Sequence, residues 1–301
     1  MKVLRIAGQN SGLGMAWAYG LIDAIRATNP HIVPEVVAIQ PESDMDLQQA
    51  DPYFAAAQRA LESGQADLCV HNLEDLPQNI NKNLPIVAVS ARSYARDVLV
   101  CPAGRGEPDF SRPLSAKGVS RLVQLSKLYP GWAIVPAYGS TPQQLERLDI
   151  GELGAVVVPE FDMLSLGLAG RIHLIIDQNR MITMPGQGIV AVQGRWGDDL
   201  SFLIGYHNAD AWDMALAERG FSRVLGMSVG FSAVRANVVS SGRITVRGIV
   251  VGHDGRQHTG VVDGARDEAE DLGAVLAVRL GMALTPPDKR RSSVLGVFGT
   301  G

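Results

Sequence analysis

Short apolar runs bounded by glycine, proline or polar residues alternate, over the first two thirds of the chain, with stretches patterned as amphipathic helices. Runs of this kind read as buried strands. Strands are expected at Val3–Ala7, Ile32–Ile39, Ala66–Val70, Ile86–Ser90 and Asp97–Cys101. Further strands are expected at Ala133–Pro136, Ala155–Pro159, Ile172–Ile176 and Ile189–Gln193. Helices are expected from Ser11 to Thr28, from Tyr53 to Ser63 with Gly64 ending it, over Ser120–Tyr129 and over Pro142–Leu148. Strands alternating with helices predict an α/β fold with mainly parallel, doubly wound sheets.

Two stretches break the alternation. Pro102 to Pro113 is rich in glycine, proline and charge, and Met184-Pro185-Gly186-Gln187-Gly188 follows the strand at Ile172. Read as crossovers, they divide the chain into a first α/β lobe (1–100 and 187–208) and a second (103–184). A ligand cleft is expected between the lobes, as in periplasmic binding proteins. A helix over Ala209–Leu225, strands at Ser232–Val239, Ile244–Val251 and His258–Val262, and a helix over Ala265–Met282 predict a small α+β domain (211–284). His253-Asp254-Gly255 reads as its hairpin turn. Residues 285–301 form a tail whose Lys289-Arg290-Arg291 reads as solvated charge.

Composition narrows the function classes. The chain has 301 residues and a net charge of -4 with dispersed basic residues, which argues against a nucleic-acid surface. No long apolar span or signal peptide is evident, so a soluble, cytoplasmic protein off the membrane is expected. The two cysteines, Cys69 and Cys101, lie in apolar runs and read as reduced and buried. No His, Cys or carboxylate spacing suggests a metal.

The candidate chemistry centres on Val70-His71-Asn72-Leu73-Glu74-Asp75-Leu76-Pro77. Asp75 falls just past the carboxyl end of a strand, before Pro77, and in open α/β sheets ligands bind at that edge. A carboxylate there holds a cation or shuttles a proton, although Asp after a strand is also ordinary turn chemistry. His71 reads as structural. Gly8-Gln9-Asn10-Ser11-Gly12-Leu13-Gly14 forms a glycine-rich loop in which Ser11 caps a helix whose start favours an anion. It is not a dinucleotide fingerprint, because Trp17 stands at the third glycine, and no Gly-Lys-Ser/Thr makes it a P-loop. Trp17 reads as core or, less readily, as an aromatic wall.

The Asp75 segment resembles the Val-His-Ser-Leu-Lys-Asp-Leu-Pro of the porphobilinogen deaminase (hydroxymethylbilane synthase) family. Leu4-Arg5-Ile6 with Ser11 and Leu13, Arg96-Asp97, Pro185-Gly186-Gln187-Gly188, Glu218-Arg219 with Phe221, and Val246-Arg247-Gly248 are similar to further family motifs in the same order. The resemblance implies that Asp75 is the catalytic residue, and a monomer. It also implies a dipyrromethane cofactor thioether-linked to cysteine, but that position falls on Val229, so no cofactor is expected here. Family arginines that hold substrate carboxylates correspond to Gln9, Ser120, Tyr138, Gln144 and Ser165, and only Arg121 remains. Glu74 replaces a lysine, and Gln49-Ala50-Asp51-Pro52 stands where lid lysines are expected.

Burying a polycarboxylate without cations is costly, so no tetrapyrrole product is expected. The reading is a cofactor-free homologue that deaminates or condenses one or two small pyrroles, or a related aminomethyl heterocycle, in a specialised biosynthetic pathway. Asp75 would be catalytic. Gln9, Ser11, Glu74, Ser120, Arg121, Tyr138, Gln144 and Ser165 would bind substrate, with Arg121 pairing a single carboxylate. The alternatives are an inactive homologue that binds a small molecule in the cleft, and a different lyase or transferase using the same cleft.

Overall fold

The structure is a computed structural model that describes residues 2–40, 52–226, 231–240, 242–252 and 255–284. In chain order its elements are β1 (Lys2–Gln9), α1 (Gly12–Thr28), β2 (Ile32–Ile39), α2 (Pro52–Glu62), β3 (Leu68–Asn72), β4 (Ile86–Val89) and β5 (Asp97–Val100). They continue with β6 (Leu114–Ala116), α3 (Val119–Leu128), β7 (Ile134–Pro136), α4 (Thr141–Asp149), β8 (Ala155–Pro159), α5 (Glu160–Ser165), β9 (Ile172–Ile175) and β10 (Val190–Gly194). The last are α6 (Ala209–Leu225), β11 (Phe231–Ser240), β12 (Arg243–Val251), β13 (Gln257–Ala265) and α7 (Ala269–Leu284).

The chain divides into two compact units, Met1–Met181 with Gly186–Trp212, and Ile182–Pro185 with Asp213–Gly301. The first unit holds two five-stranded sheets, ordered β2-β1-β3-β10-β4 and β7-β6-β8-β5-β9. α1 buries Leu21, Ile22 and Ile25 against Leu4, Ile6, Leu68 and Val70 of the first sheet. Each such side chain contributes about 1.5–3 kcal/mol by leaving water. In the second sheet, Val98, Val100, Val156 and Val158 pack with Leu145 and Leu148 of α4.

Three expectations are corrected. The sheets are not mainly parallel: β10 runs antiparallel to β3 and β4, and β5 runs antiparallel to β8 and β9. Strands that bring the chain across from the other lobe enter against the direction of the βα units. β5 belongs to the second sheet, so the passage between sheets falls between β4 and β5 rather than at Pro102–Pro113. An apolar strand is equally buried in either sheet, so its pattern does not say which one it joins. β6 was not expected at all, because three residues are too few for a strand period to be read.

The glycine-rich loop owes its glycines to packing. A Cβ on Gly14 would lie 2.5 Å from the Gln9 carbonyl oxygen, and one on Gly8 would lie 2.6 Å from that of Gly14. α1 therefore starts in backbone contact with the end of β1. Gly14→Ala is expected to destabilise the protein by about 1–3 kcal/mol through overpacking, read from the urea midpoint.

In the second unit, β11, β12 and β13 form an antiparallel sheet in that order. Phe221, Val234, Val246 and Leu276 build its core. α7 starts at Ala269, after a tight turn over Arg266–Glu268, rather than at Ala265. Val229, Gln49 to Asp51, the turn residues His253 and Asp254, and the tail from Thr285 lie outside the described residues. No helix among the described residues is long and apolar enough to cross a membrane.

Candidate functional site

β3 is buried along its whole length and ends at Asn72, where the chain turns tightly through Leu73–Asp75. Leu73 and Leu76 are buried and anchor the turn at either end. Asp75 is thereby presented at the mouth of a cleft of about 310 Å³, open solvent included, lined by Gln9, Trp17, Tyr53, His71 and Asn72 among others. The carboxylate accepts a hydrogen bond from Asn72 Nδ2 (3.2 Å) and an ion-pairing one from Lys117 Nζ (3.1 Å). Lys117 follows the end of β6 as Asp75 follows β3, so the pair joins the two lobes. Sequence reasoning missed Lys117 because it missed the strand that carries it.

Behind this pair lies a buried network. Arg121, on α3, donates through Nε to Asp97 Oδ1 (3.0 Å) and through one terminal nitrogen to Glu74 Oε1 (2.8 Å) and Gln187 Oε1 (3.0 Å). Its other terminal nitrogen donates to the Lys117 carbonyl (3.1 Å). Gln187 donates back to Asp97 Oδ1 (2.9 Å). Gln187 stands between Gly186 and Gly188, which take φ of 81° and 78° and whose Cβ atoms would meet Leu73 and the Ser93 carbonyl. Only glycine fits both requirements, so the two glycines hold Gln187 in place.

Arg121 is therefore not available to a substrate carboxylate, contrary to expectation. Two internal carboxylates share it, and they raise its pKa although burial opposes this. Asp97 keeps two donors on one oxygen and Glu74 keeps one, and the second oxygen of each has no hydrogen-bond partner. The pKa of Glu74 is pushed up, chiefly by burial and further by Asp75, Asp97 and Asp162, against the pull of Arg121.

Asp162, in the first turn of α5, is a buried carboxylate whose charge interacts with that of Asp75, and sequence reasoning missed it. It is 7% exposed, and its Oδ2 accepts the Thr141 hydroxyl at 2.5 Å. Burial pushes its pKa up to about 6, with Asp75 adding to the rise and Arg121 and Lys117 opposing it. Its signal was the one that marked Asp75, an acidic residue just past an apolar strand, here β8. Next to it, the Phe161 ring stacks on Trp17, with centroids 6.1 Å apart and planes at 11°. Trp17 is thus both partly packed and a wall of the cleft.

The remaining expected site residues are dispersed. Gln9 lines the cleft. Ser11 is engaged as the helix cap, accepting from the Gly14 amide at 3.1 Å. The amides of Asn10 and Ser11 donate to Ile39 and Gln9 carbonyls, so that part of the loop is not an open anion cradle. Ser120 is buried on α3 and accepts from Gln124. Tyr138 is 73% exposed. Gln144 is buried, donating weakly to the Gly139 carbonyl, with its Oε1 unpartnered. Ser165, half-buried, ends α5. Burial holds His71 neutral, with its pKa down to about 4, which suits a structural histidine between Tyr53 and Phe54 rather than a base. Cys69 and Cys101 are buried, and burial pushes both thiols up. Among the described residues, no three His, Cys, Asp or Glu side chains are grouped as metal ligands.

The family model described as porphobilinogen deaminase, dipyromethane cofactor binding domain, matches residues 4–201. The porphobilinogen deaminase of Alkaliphilus oremlandii is 33% identical over 93% of this chain and 97% of its own. That of Acetivibrio thermocellus is 33% identical over 93% and 98%. The chain belongs to the porphobilinogen deaminase family. The Thermus thermophilus member is 27% identical over 92% of this chain and 95% of its own. Among solved structures, the periplasmic VFT2 domain of Bordetella pertussis BvgS matches at 15% identity with a TM-score of 0.38, over 67% of this chain and 84% of that one.

Membership suggests a transferase or deaminase and sets the geometry in context. Asp75 keeps the strand-end position of the family motif, while the cations near it are engaged by the protein's own carboxylates.

Proposed function

We propose that the chain is a porphobilinogen-deaminase-like enzyme that works without a dipyrromethane cofactor. It acts in the cytoplasm as a monomer, deaminating or condensing a small pyrrole or related aminomethyl heterocycle rather than building a tetrapyrrole. The observation that carries this reading is Asp75 lining the cleft, with the carboxylates of Glu74 and Asp162 within reach of its charge and Arg121 and Lys117 opposing them.

A thioether-linked, polyanionic dipyrromethane does not fit these residues. Valine at 229 offers no nucleophile, Cys69 is fully buried and Cys101 nearly so, and Arg121 is committed to internal carboxylates. No step is therefore routed through such a group. An aminomethyl heterocycle carries its charge as an ammonium, which the Asp75 carboxylate suits. In the reaction, the exocyclic C–N bond breaks and its electron pair leaves with nitrogen as ammonia. The ring is left as an azafulvenium cation beside Asp75, stabilised electrostatically. Water, or the α-carbon of a second ring, then bonds to the methylene carbon and loses a proton through Asp75 to solvent.

The test is ammonia release from porphobilinogen and from 2-(aminomethyl)pyrrole, with mass analysis of the products. Release with one- or two-ring products is expected. A four-ring product would overturn the cofactor-free reading. No release from either compound would favour a binding protein, the alternative supported by the Lys117 ammonium already seated on Asp75.

A further inference from the structure

Among the described residues, every side chain lining the cleft comes from the first lobe: from β1, α1, α2, β3 and the turn that presents Asp75. The second lobe closes on two of them. Lys117 pairs with Asp75, and Phe161, in the first turn of α5, stacks on Trp17 of α1. The start of α1 rests on the same element, since a Cβ on Gly12 would lie 3.4 Å from Leu166, just past α5. The Trp17 indole is therefore in contact with both the cleft and the second lobe.

Core packing does not account for this tryptophan. Trp17 and Phe161 are half-buried, at the edge of the first lobe's core rather than inside it. An enclosed indole ordinarily finds an acceptor for its N–H, and Trp17 Nε1 is enclosed without one. No hydrogen bond fixes the ring, so its place is set by packing, with Phe161 as a flat brace. The other rings of the cleft are held from within the first lobe. Tyr53 donates to the Val70 carbonyl at 2.9 Å, and His71 sits between Tyr53 and Phe54. At about 310 Å³, open solvent included, the cleft is also at the lower end of ligand-cleft sizes.

We propose that Trp17, braced by Phe161, sets the size of the ligand: the cleft takes one heteroaromatic ring and excludes a second. This rests on the proposed function and deepens it, because a two-ring product that cannot re-enter the cleft ends chain growth. Truncating the indole joins the space it vacates to the cleft and admits the second ring.

The experiment is calorimetric titration of the full chain with two probes that cannot expel ammonia as an azafulvene, because a second methylene separates the ring from the nitrogen. One is 2-(2-aminoethyl)pyrrole. The other is the same molecule with a further pyrrole attached at C5 through a methylene. Each carries a single ammonium and no carboxylate, so they differ in length alone. The wild type is expected to bind the one-ring probe about tenfold or more tightly than the two-ring probe, the scale of overpacking a filled site. Trp17→Ala should erase or reverse that preference by gaining affinity for the two-ring probe. Trp17→Phe, which keeps a ring against Phe161, should retain most of it, and Phe161→Ala, which leaves the wall without its brace, should narrow it. The one-ring probe should also change the tryptophan emission of the wild type but not that of saturated Trp17→Phe, since Trp132, Trp196 and Trp212 do not line the cleft.

Equal or tighter binding of the two-ring probe by the wild type overturns the proposal even if every variant misfolds, as does the failure of both probes to bind. A preference that survives in folded Trp17→Ala, or an emission change that persists in Trp17→Phe, overturns the role of Trp17. Failure of the enzymatic reading looks different: the preference and its dependence on Trp17 would stand while 2-(aminomethyl)pyrrole released no ammonia. Ammonia release with equal affinity for the two probes would keep the enzyme and sink this inference.

Discussion

Arg121→Ala is expected to destabilise the protein by about 3–5 kcal/mol, the cost of leaving buried charge without its partner. The guanidinium is 2% exposed and serves Glu74, Asp97, Gln187 and the Lys117 carbonyl at once. Its loss would strand two buried carboxylates and remove the tie between α3, the turn after β3, and β5. The sign of the pH dependence follows from Glu74. Glu74, its pKa already raised by burial, loses the guanidinium that holds it down and rises further, so the folded variant binds more protons than the wild type over the interval in which it titrates. Its stability therefore falls as pH rises through that interval, and the deficit against wild type is smaller at low pH than at neutral pH. Arg121→Lys restores charge but not the fork that reaches several acceptors, and should recover only part of the loss. Urea unfolding of the three proteins at two pH values reads all of this. A deficit below about 1 kcal/mol, in the range of an exposed ion pair, would mean that the network is not what holds these elements together.

The same residue shows how far the sequence was legible. Helices and strands of ordinary length followed from hydrophobic period, and β2, β8 and α6 have the expected bounds. Asp75 was found because a buried strand, a turn and Pro77 mark a sheet edge in one short segment. Arg121 was identified as a site residue but given the wrong partner. Its acceptors lie on other elements, and nothing local in a sequence says that an arginine is already paired. Lys117 and Asp162 were missed for a related reason. They come from the second lobe, and only the folded chain brings Lys117 onto Asp75 and Asp162 within reach of its charge. The serine and amides of the glycine-rich loop were read as an anion site, whereas the structure spends most of them on the helix cap and on strand contacts.

Asp75→Asn is expected to lower ammonia release by about a hundredfold to a thousandfold while leaving stability nearly unchanged, the scale seen when a group that stabilises transition-state charge is removed. The two halves of this expectation have separate grounds. The carboxylate is 37% exposed and its ion pair with Lys117 is a surface one, so losing the charge should cost no more than about 1 kcal/mol of stability. Asparagine keeps an oxygen for the Lys117 ammonium but no negative charge to set against an azafulvenium cation. Lys117→Met is the informative companion. It removes the internal ammonium that competes for Asp75, so a cationic substrate should bind more tightly, seen as a lower KM. If Asp75 instead only orders the turn, Asp75→Asn would shift the urea midpoint and leave release per folded molecule intact. If Lys117 were itself the receptor for a substrate carboxylate, Lys117→Met would raise KM. Initial rates of ammonia release on the three proteins, normalised to the folded fraction, decide among these.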